Sequence, residues 1–171
     1  MQNLQIRTWQ IKDLEEVEKL LRQISTYTGN VKRDFFSQLY TGKVALTDGK
    51  IVGFVLYWIL ENEVEIHAVI VDKNYRKRSI GKALMASIID ELASLQKPFT
   101  IFLEVSEKNI PALKLYQLFG FKKVAVRKNY YKNGDNALVL MLKINPTEVK
   151  DVQRRKPEKT GQGKVPPLRN T

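Results

Sequence analysis

The sequence contains no cysteine and a single histidine, His67, among its 171 residues. Disulfide bonds, thiolate metal sites and a cysteine nucleophile are therefore excluded, and so are metal sites built from several histidines. A chain without cysteine is suited to a reducing compartment. We therefore expect a cytoplasmic protein that needs no metal.

The sequence also lacks a long hydrophobic run. The longest apolar stretch, Ile51 to Leu60, has ten residues and includes Gly53. This is half of the roughly 20 residues that a transmembrane helix needs. The N-terminal segment lacks the apolar stretch of a signal peptide. We expect neither membrane insertion nor export, and the apolar run is typical of a buried strand.

Acidic residues are few relative to basic ones: 18 Asp and Glu stand against 29 Lys and Arg, a formal net charge of +11. Residues 145–171 hold seven basic and three acidic residues, a net +4, which leaves +7 on residues 1–144. A basic surface attracts polyanions such as nucleic acid, the ribosome or a phosphate-rich ligand, and it also promotes solubility. The charge alone leaves these alternatives open.

The composition changes after Ile144. Residues 145–171 contain four of the six prolines, no aromatic residue and only four Val or Leu. Such a segment buries too little apolar area to offset the entropy lost on ordering. We therefore expect one folded domain over residues 1–144 and a basic disordered tail over residues 145–171. The tail's Arg154-Arg155-Lys156 cluster either contacts RNA or the ribosome, or is simply solvated.

Hydrophobic periodicity predicts the element order β-α-α-β-β-β-α-β-α-β-β. The pairs Asp48-Gly49 and Asn133-Gly134 indicate hairpins, the second between strands over residues 121–131 and 136–144. A strand–helix–strand crossover predicts one parallel pair. The fold class is thus α/β, mixed α+β, with a central mixed sheet that is mostly antiparallel.

Three predictions concern the helices. The carboxylate of Asp13 is placed to cap the first helix. The second helix is expected over residues 32–40. The long helix over residues 80–95 should bury one face, which consists of Leu84, Ile88, Leu92 and Leu95.

The segment that joins the fourth strand to the long helix is small and basic, and it reads Arg76-Lys77-Arg78-Ser79-Ile80-Gly81-Lys82. Free backbone N–H groups and the positive end of the helix dipole favour an anion there, and this suits a pyrophosphate. The sequence contains neither G-x-x-x-x-G-K-S/T nor G-x-G-x-x-G, which argues against an NTPase or a dinucleotide enzyme.

This segment resembles the coenzyme A motif, Q/R-x-x-G-x-G/A, of the GCN5-related N-acetyltransferase (GNAT) superfamily, with Ser79 in place of the first glycine. Further motifs follow with the spacing of the RimI branch, the bacterial ribosomal-protein-alanine N-acetyltransferases: Leu103-Glu104-Val105, Asn109, Leu115-Tyr116, Gly120-Phe121 and Arg127-Lys128-Asn129-Tyr130-Tyr131. The resemblance is close over residues 64–144, looser over residues 1–63 and absent from the tail. It implies a three-layer GNAT-like fold and acetyl-coenzyme A as the acetyl donor.

The resemblance also implies the residues that bind the coenzyme. Backbone groups of the fourth strand would bind the pantetheine arm as an added strand, and the start of the long helix would bind the diphosphate. These residues are Val69, Ile70, Val71, Arg76, Lys77, Arg78, Ser79, Ile80, Gly81, Lys82 and Asn109. For Asn109, coenzyme contact and helix capping are compatible.

Glu104 and Tyr116 are the candidate catalytic residues. A peptide α-amine has a pKa of about 8 and must lose a proton before it attacks a thioester, and a carboxylate can accept that proton. The departing thiolate needs a proton, which a tyrosine can donate. RimI enzymes carry a glutamate and a tyrosine at this spacing in these roles. Tyr130 and Tyr131 either line the acceptor channel or pack structurally, and a packed or exposed His67 is favoured over a catalytic one.

The resemblance implies direct acetyl transfer to a protein N-terminal α-amine, namely the N-terminal alanine of a small-subunit ribosomal protein. RimI enzymes carry Pro-Trp-Ser between the first two helices, whereas residues 25–31 here read Ser-Thr-Tyr-Thr-Gly-Asn-Val. The acceptor therefore stays open. Other protein N-termini, lysines or a small amine are alternatives, as is a non-catalytic acyl-coenzyme A-binding module. The sequence does not indicate an oligomeric state.

Overall fold

A computed structural model of the protein describes residues 3–24 and 27–146. The predicted order of elements is confirmed. The strands are β1 (Leu4–Thr8), β2 (Tyr40–Thr47), β3 (Lys50–Leu60), β4 (Glu63–Val71), β5 (Phe99–Ser106), β6 (Lys122–Arg127) and β7 (Ala137–Ile144). The α-helices are α1 (Leu14–Leu21), α2 (Val31–Phe36), α3 (Ile80–Ser94) and α4 (Ile110–Leu118).

The strands of the described residues form one seven-stranded sheet in the order β1-β2-β3-β4-β5-β7-β6. β4 and β5 run parallel, and every other neighbouring pair is antiparallel. A parallel pair needs a long crossover, which α3 supplies. The predicted mixed sheet with one parallel pair is confirmed.

Two hydrophobic clusters lie on opposite faces of this sheet and produce the three layers. On one face, Leu84 and Ile88 of α3 belong to the same buried cluster as Ile101 and Leu103 of β5. On the other, α1 and α2 pack on a separate cluster that includes Phe54. Each fully buried aliphatic side chain contributes roughly 1.5–3 kcal/mol relative to exposure, so both helical layers are held mainly by apolar burial.

The two predicted hairpin turns differ in outcome. Asp48 and Gly49 both have positive φ, 51° and 78°, as a tight two-residue turn between twisted strands requires. The second prediction is wrong in extent, because β6 already ends at Arg127 and β7 begins at Ala137. Residues 128–136 therefore form a loop, which carries Tyr130 and Tyr131.

Asp13 does not cap α1 with its side chain. Its carboxylate accepts hydrogen bonds from the Gln10 N–H at 2.7 Å and from both terminal nitrogens of Arg7, at 2.7 and 3.0 Å. A short 3-10 turn precedes α1, and the carboxylate of Asp13 is buried there, where Arg7 neutralises its charge. The capping prediction is wrong because the Arg7 guanidinium and the Gln10 N–H, which both precede the helix, occupy the carboxylate.

Two helix boundaries also differ from the predictions. The second helix stops at Phe36 because Gln38 adopts a positive φ of 59°, and Tyr40 already begins β2. α3 ends at Ser94, and Leu95 is 53% exposed, so only the other three residues of the predicted face are buried.

Within the described part of the chain, no helix combines the length and the apolar character that a membrane crossing demands. The predicted tail lies outside the described residues, except for Asn145 and Pro146.

Candidate active site

A cleft opens in the sheet between β4 and β5. These strands pair only from Glu63 opposite Thr100 to Ile66 opposite Leu103, although both continue beyond that point. The pairing of β4 with β3 slips by one residue just there, which leaves His67 as the extra residue of a bulge. A bulge bends its strand and increases its twist. β4 therefore departs from β5, and its far half has an edge that no described strand covers.

The backbone of this edge is oriented for an extended ligand. The Asp72 N–H donates to the Val52 carbonyl at 2.9 Å, toward β3. Hydrogen-bonding groups alternate along an antiparallel strand, so Val69 and Val71 direct theirs toward the cleft. The guanidinium of Arg76 accordingly donates to the Val71 carbonyl at 3.3 Å from that side. This geometry suits β-strand addition by a pantetheine arm.

The beginning of α3 has the conformation of an anion cradle. Ser79, the residue before the first helical turn, is left-handed with φ 59° and ψ 20°, and its side chain does not cap the helix. Lys77 is left-handed as well, with φ 61°. Left-handed residues beside helical ones turn successive N–H groups toward a common point, where the helix dipole adds to their attraction for an anion.

The charged side chains of the cradle are exposed. Arg76, Lys77 and Lys82 reach solvent, and the Arg78 guanidinium carbon lies 5.0 Å from the centre of the Tyr75 ring. The residues present therefore fit a diphosphate through both backbone and charge.

Gly81 has a packing role that the sequence did not reveal. A Cβ at this position would lie 3.2 Å from the side chain of Leu115 and 3.7 Å from that of Val71. The glycine thus lets α3 approach α4 and β4 closely. Ser79, and not Gly81, has the left-handed backbone. Glycine adopts this conformation most easily, which explains why the family motif has glycine where this chain has Ser79.

Glu104 lies at the vertex of the cleft, as the first β5 residue beyond the paired segment. Its neighbours Leu103 and Val105 are buried on the α3 face, so its side chain points to the other face and is 25% exposed. Arg127 Nε donates to its carboxylate at 2.7 Å, reaching across β7 from β6. Sequence reasoning missed this pair, because the two residues are far apart in the chain.

The two tyrosines of the 128–136 loop lie beside Glu104. The pKa of Tyr130 is raised, chiefly because its hydroxyl hydrogen-bonds to the Glu104 carboxylate. The pKa of Tyr131 is raised by burial and then by the charges of Glu104 and Tyr130. The structure therefore brings both candidate acceptor-site tyrosines to the candidate base.

Asp135 holds this loop in place. Its carbonyl accepts from the N–H groups of Tyr130 and Tyr131, each at 3.1 Å. Its carboxylate pairs with Lys108 at 2.7 Å, and this ion pair lowers the pKa of Asp135 and raises that of Lys108. The loop is thereby tied to the turn between β5 and α4. No local sequence pattern predicts that Asp135 holds the loop.

Tyr116 lies on α4, in the core layer opposite Glu104, and packs edge-on against Phe121 at 5.7 Å between ring centres. Burial, followed by the proximity of Tyr131, raises its pKa well above the usual range of a phenol. Its hydroxyl therefore stays protonated at neutral pH. Tyr131 therefore lies near enough to both Tyr116 and Glu104 to interact electrostatically with each.

Asn109 caps α4, since its side-chain oxygen accepts from the Ala112 N–H at 3.2 Å. The capping interpretation is confirmed, and coenzyme contact stays a prediction. His67 packs its ring 5.0 Å from that of Tyr40, and its Nε2 lies 3.8 Å from the Glu65 carboxylate. Its side chain is 30% exposed, so it is partly exposed at the cleft vertex.

Comparison with known proteins agrees with this fold. The family model described as "Acetyltransferase (GNAT) family" matches residues 2–121. The chain belongs to the GNAT acetyltransferase family. Membership of this family makes it an N-acetyltransferase, and the predicted fold class is confirmed.

Individual relatives carry more specific names. A Bacillus subtilis protein, provisionally named a ribosomal protein bS18-alanine N-acetyltransferase, is 30% identical over 147 residues, which are 82% of this chain and 95% of the relative. The crystal structure of the ribosomal-protein-S18-alanine N-acetyltransferase from Escherichia coli superposes with a TM-score of 0.75 at 26% identity, covering 84% of this chain and 95% of that one. The resemblance to RimI proteins is confirmed.

A GNAT fold with bound coenzyme is also similar. Arabidopsis thaliana NAA60 in complex with acetyl-CoA has a TM-score of 0.69 at 22% identity, covering 83% of this chain and 99% of that chain. This likeness concerns the fold, and it shows that the same architecture holds acetyl-CoA in that protein.

Proposed function

We propose that this GNAT enzyme transfers an acetyl group from acetyl-CoA to a protein N-terminal α-amine, with the N-terminal alanine of a small-subunit ribosomal protein as its acceptor. The observation that carries the proposal is the cleft between β4 and β5, which has Glu104 at its vertex and an anion cradle at its far end. The names of the relatives support the acceptor class.

The coenzyme occupies the cleft in this proposal. The N–H groups at the start of α3 and the side chains of Arg76, Lys77 and Arg78 hold the diphosphate, and the edge of β4 holds the pantetheine arm. The Val71 N–H polarises the thioester carbonyl. When bound, acetyl-CoA supplies an activated acetyl group, so the protein needs no nucleophile of its own.

Glu104 accepts the proton that the acceptor amine must lose, directly or through a water molecule. The amine nitrogen forms a bond to the acetyl carbon, and the carbon–sulfur bond breaks. Tyr116 donates its hydroxyl proton to the departing sulfur, since its phenol is in the protonated form before the transfer. Glu104 then releases the accepted proton to solvent, and the Tyr116 phenolate recovers a proton from solvent, which completes the cycle.

Two substitutions test these roles. Glu104→Gln and Tyr116→Phe should each lower kcat on the order of 10²–10⁴-fold. Calorimetry should show an almost unchanged affinity for acetyl-CoA, because neither group belongs to the diphosphate cradle. Unchanged turnover in both variants would refute the role assignments.

Matched controls are available for both. Glu63→Gln removes an exposed carboxylate from β4, in the same sheet as Glu104. Tyr57→Phe removes a buried tyrosine hydroxyl that has no hydrogen-bond partner among the described residues. Tyr57 lies on β3 opposite Ile66, so it is one strand away from the cleft. Neither should change kcat. A fall in the control matching that in the test variant would assign the loss to structure.

The acceptor is identified by mass spectrometry of ribosomal proteins from cells with and without this chain. The absence of the acetyl mass increment from one N-terminus, only in cells that lack the chain, would name it. A panel of peptides, lysine substrates and polyamines tests the alternative acceptors. Binding of acetyl-CoA without turnover of any of them would favour a non-catalytic acyl-CoA-binding module.

A further inference from the structure

One row of side chains crosses the sheet from β2 to β7 on the face of α1 and α2. The pairing register places each residue opposite the next, and partners in adjacent strands share a face. The row consists of Tyr40, Trp58, Glu65, Phe102 and Met141. All five are partly exposed, in contrast to the buried clusters on which the helices pack. The row forms an apolar and aromatic floor with one carboxylate at its centre.

This floor lies beside the candidate base. Phe102 and Glu104 are two residues apart on the same face of β5. Given a rise of about 3.3 Å per residue and a strand spacing of about 4.8 Å, the Cα atoms of Glu65 and Glu104 are about 8 Å apart. The Glu65 charge also contributes to the raised pKa of Tyr130, a neighbour of Glu104. An acceptor amine at Glu104 therefore has its next side chain within reach of Glu65.

Glu65 is left available for a cation. Its side chain is 44% exposed, and its partner within 4 Å is the imidazole of His67. Among the ion pairs of the described residues, none joins Glu65 to a lysine or arginine, although the chain carries 29 of them. The nearby Arg127 is already engaged with Glu104.

The surroundings of Glu65 also suit a cation. Trp58 lies directly opposite it in the β3–β4 pairing, and the His67 ring lies 6.4 Å from the Trp58 ring. An aromatic face attracts an ammonium or guanidinium group, and a carboxylate adds a charge-assisted hydrogen bond.

We propose that Glu65 is a specificity-determining residue, which with Trp58 binds a basic side chain on the acceptor residue that follows the acetylated α-amine. The inference rests on the proposed N-terminal acetyltransferase function and narrows its substrate class to N-termini with arginine or lysine in second place. The side chain at this position extends over the floor toward β3 while the α-amine stays at Glu104.

The test measures kcat/KM for peptides that differ only at the second residue: Ala-Arg, Ala-Lys, Ala-Gln and Ala-Glu, each followed by the same neutral sequence. Wild-type enzyme should prefer arginine over glutamine by about 3–10-fold, the size expected for a half-exposed charge pair with an aromatic partner. The preference should weaken as salt is added.

Variants of Glu65 then test whether this residue causes the preference for arginine. Glu65→Gln should bring the arginine-to-glutamine ratio near one, and Glu65→Lys should reverse the order so that the Ala-Glu peptide exceeds the Ala-Arg peptide. The control, Glu63→Gln, removes an exposed carboxylate two residues away on β4 and should keep the wild-type ratio.

The outcomes separate this inference from the proposed function. Turnover of the peptides with equal rates for arginine and glutamine would overturn the role of Glu65 and leave N-terminal acetylation intact. A preference that persists in Glu65→Gln would overturn it as well. Failure of every peptide to be acetylated would overturn the proposed function and, with it, the inference.

Discussion

Replacement of Ser79 by glycine should stabilise the protein. A left-handed conformation costs a non-glycine residue roughly 1–2 kcal/mol, and Ser79 adopts it with φ 59°. Against this, glycine raises the entropy of the unfolded chain, which costs about 0.4–1 kcal/mol. The serine side chain makes no capping hydrogen bond at α3, so none is lost there. The expected net gain is about 0.5–1 kcal/mol.

Thermal unfolding measures this effect. For a domain of this size, the gain corresponds to an increase in Tm of about 1–4 °C. Ser79→Val should do the opposite, because a β-branched residue tolerates the left-handed region poorly. If the same turn cradles the diphosphate, the valine variant should also bind acetyl-CoA more weakly by calorimetry, while the glycine variant binds at least as well as wild type.

Ser94→Gly provides the matched control. Ser94 is the last residue of the same helix and has an ordinary right-handed helical backbone. Its hydroxyl donates to the Glu91 carbonyl at 2.6 Å. Glycine there should destabilise the protein by about 0.5–1 kcal/mol. A Ser79→Gly variant that loses stability as the control does would refute the argument that the backbone at Ser79 is strained.

Three further predictions concern single groups. Asp13→Asn should lower the free energy of unfolding by about 1–2 kcal/mol at pH 7 in urea titrations. The Arg7 hydrogen bond depresses the pKa of Asp13, so this contribution is present above the ordinary aspartate pKa and is lost as pH falls through the depressed value; a gap that widens with acid would contradict it. Arg127→Ala should lower kcat/KM by no more than about fivefold, with partial recovery in Arg127→Lys, because the partly exposed ion pair orients Glu104; increased activity would show instead that the pair obstructs the acceptor. Tyr57→Phe should leave stability unchanged or raise it by up to about 1 kcal/mol, because the buried hydroxyl lacks a partner; a clear loss in thermal melts would reveal a missed hydrogen bond.

Local patterns were sufficient for the elements themselves. Alternating and helical periodicities located every strand and α-helix of the described residues, because burial on one face imposes those periods on the sequence. The Asp48-Gly49 turn was predictable for the same reason, since both residues tolerate the positive φ that they adopt. The periodicities did not predict the two short 3-10 helices, Ile11–Asp13 and Lys73–Tyr75. Element ends were less certain, as β6 and α2 show, because competing turn conformations differ by little free energy.

The candidate site was predictable only through resemblance. Glu104 and Tyr116 carry no local signal that separates them from a solvated glutamate and a packed tyrosine. Arg127 belongs to one of the resembling motifs, but its contact with Glu104 spans an intervening strand and has no local signal. Asp135 and its control of the tyrosine loop depend on Lys108, which is 27 residues away in the chain.

By itself, the sequence determined which segments are strands and helices, the single parallel crossover and the basic, glycine-containing start of the long helix. The segments follow from interactions between residues that are close in the chain, and the parallel crossover follows from the order of those segments. Only the tertiary structure decided where β4 leaves β5, which carboxylate is paired with an arginine, and that Glu65 lies at the centre of a partly exposed floor. These features depend on strand register, in which a single extra residue at His67 redirects the rest of β4, and register is set by contacts across the whole sheet.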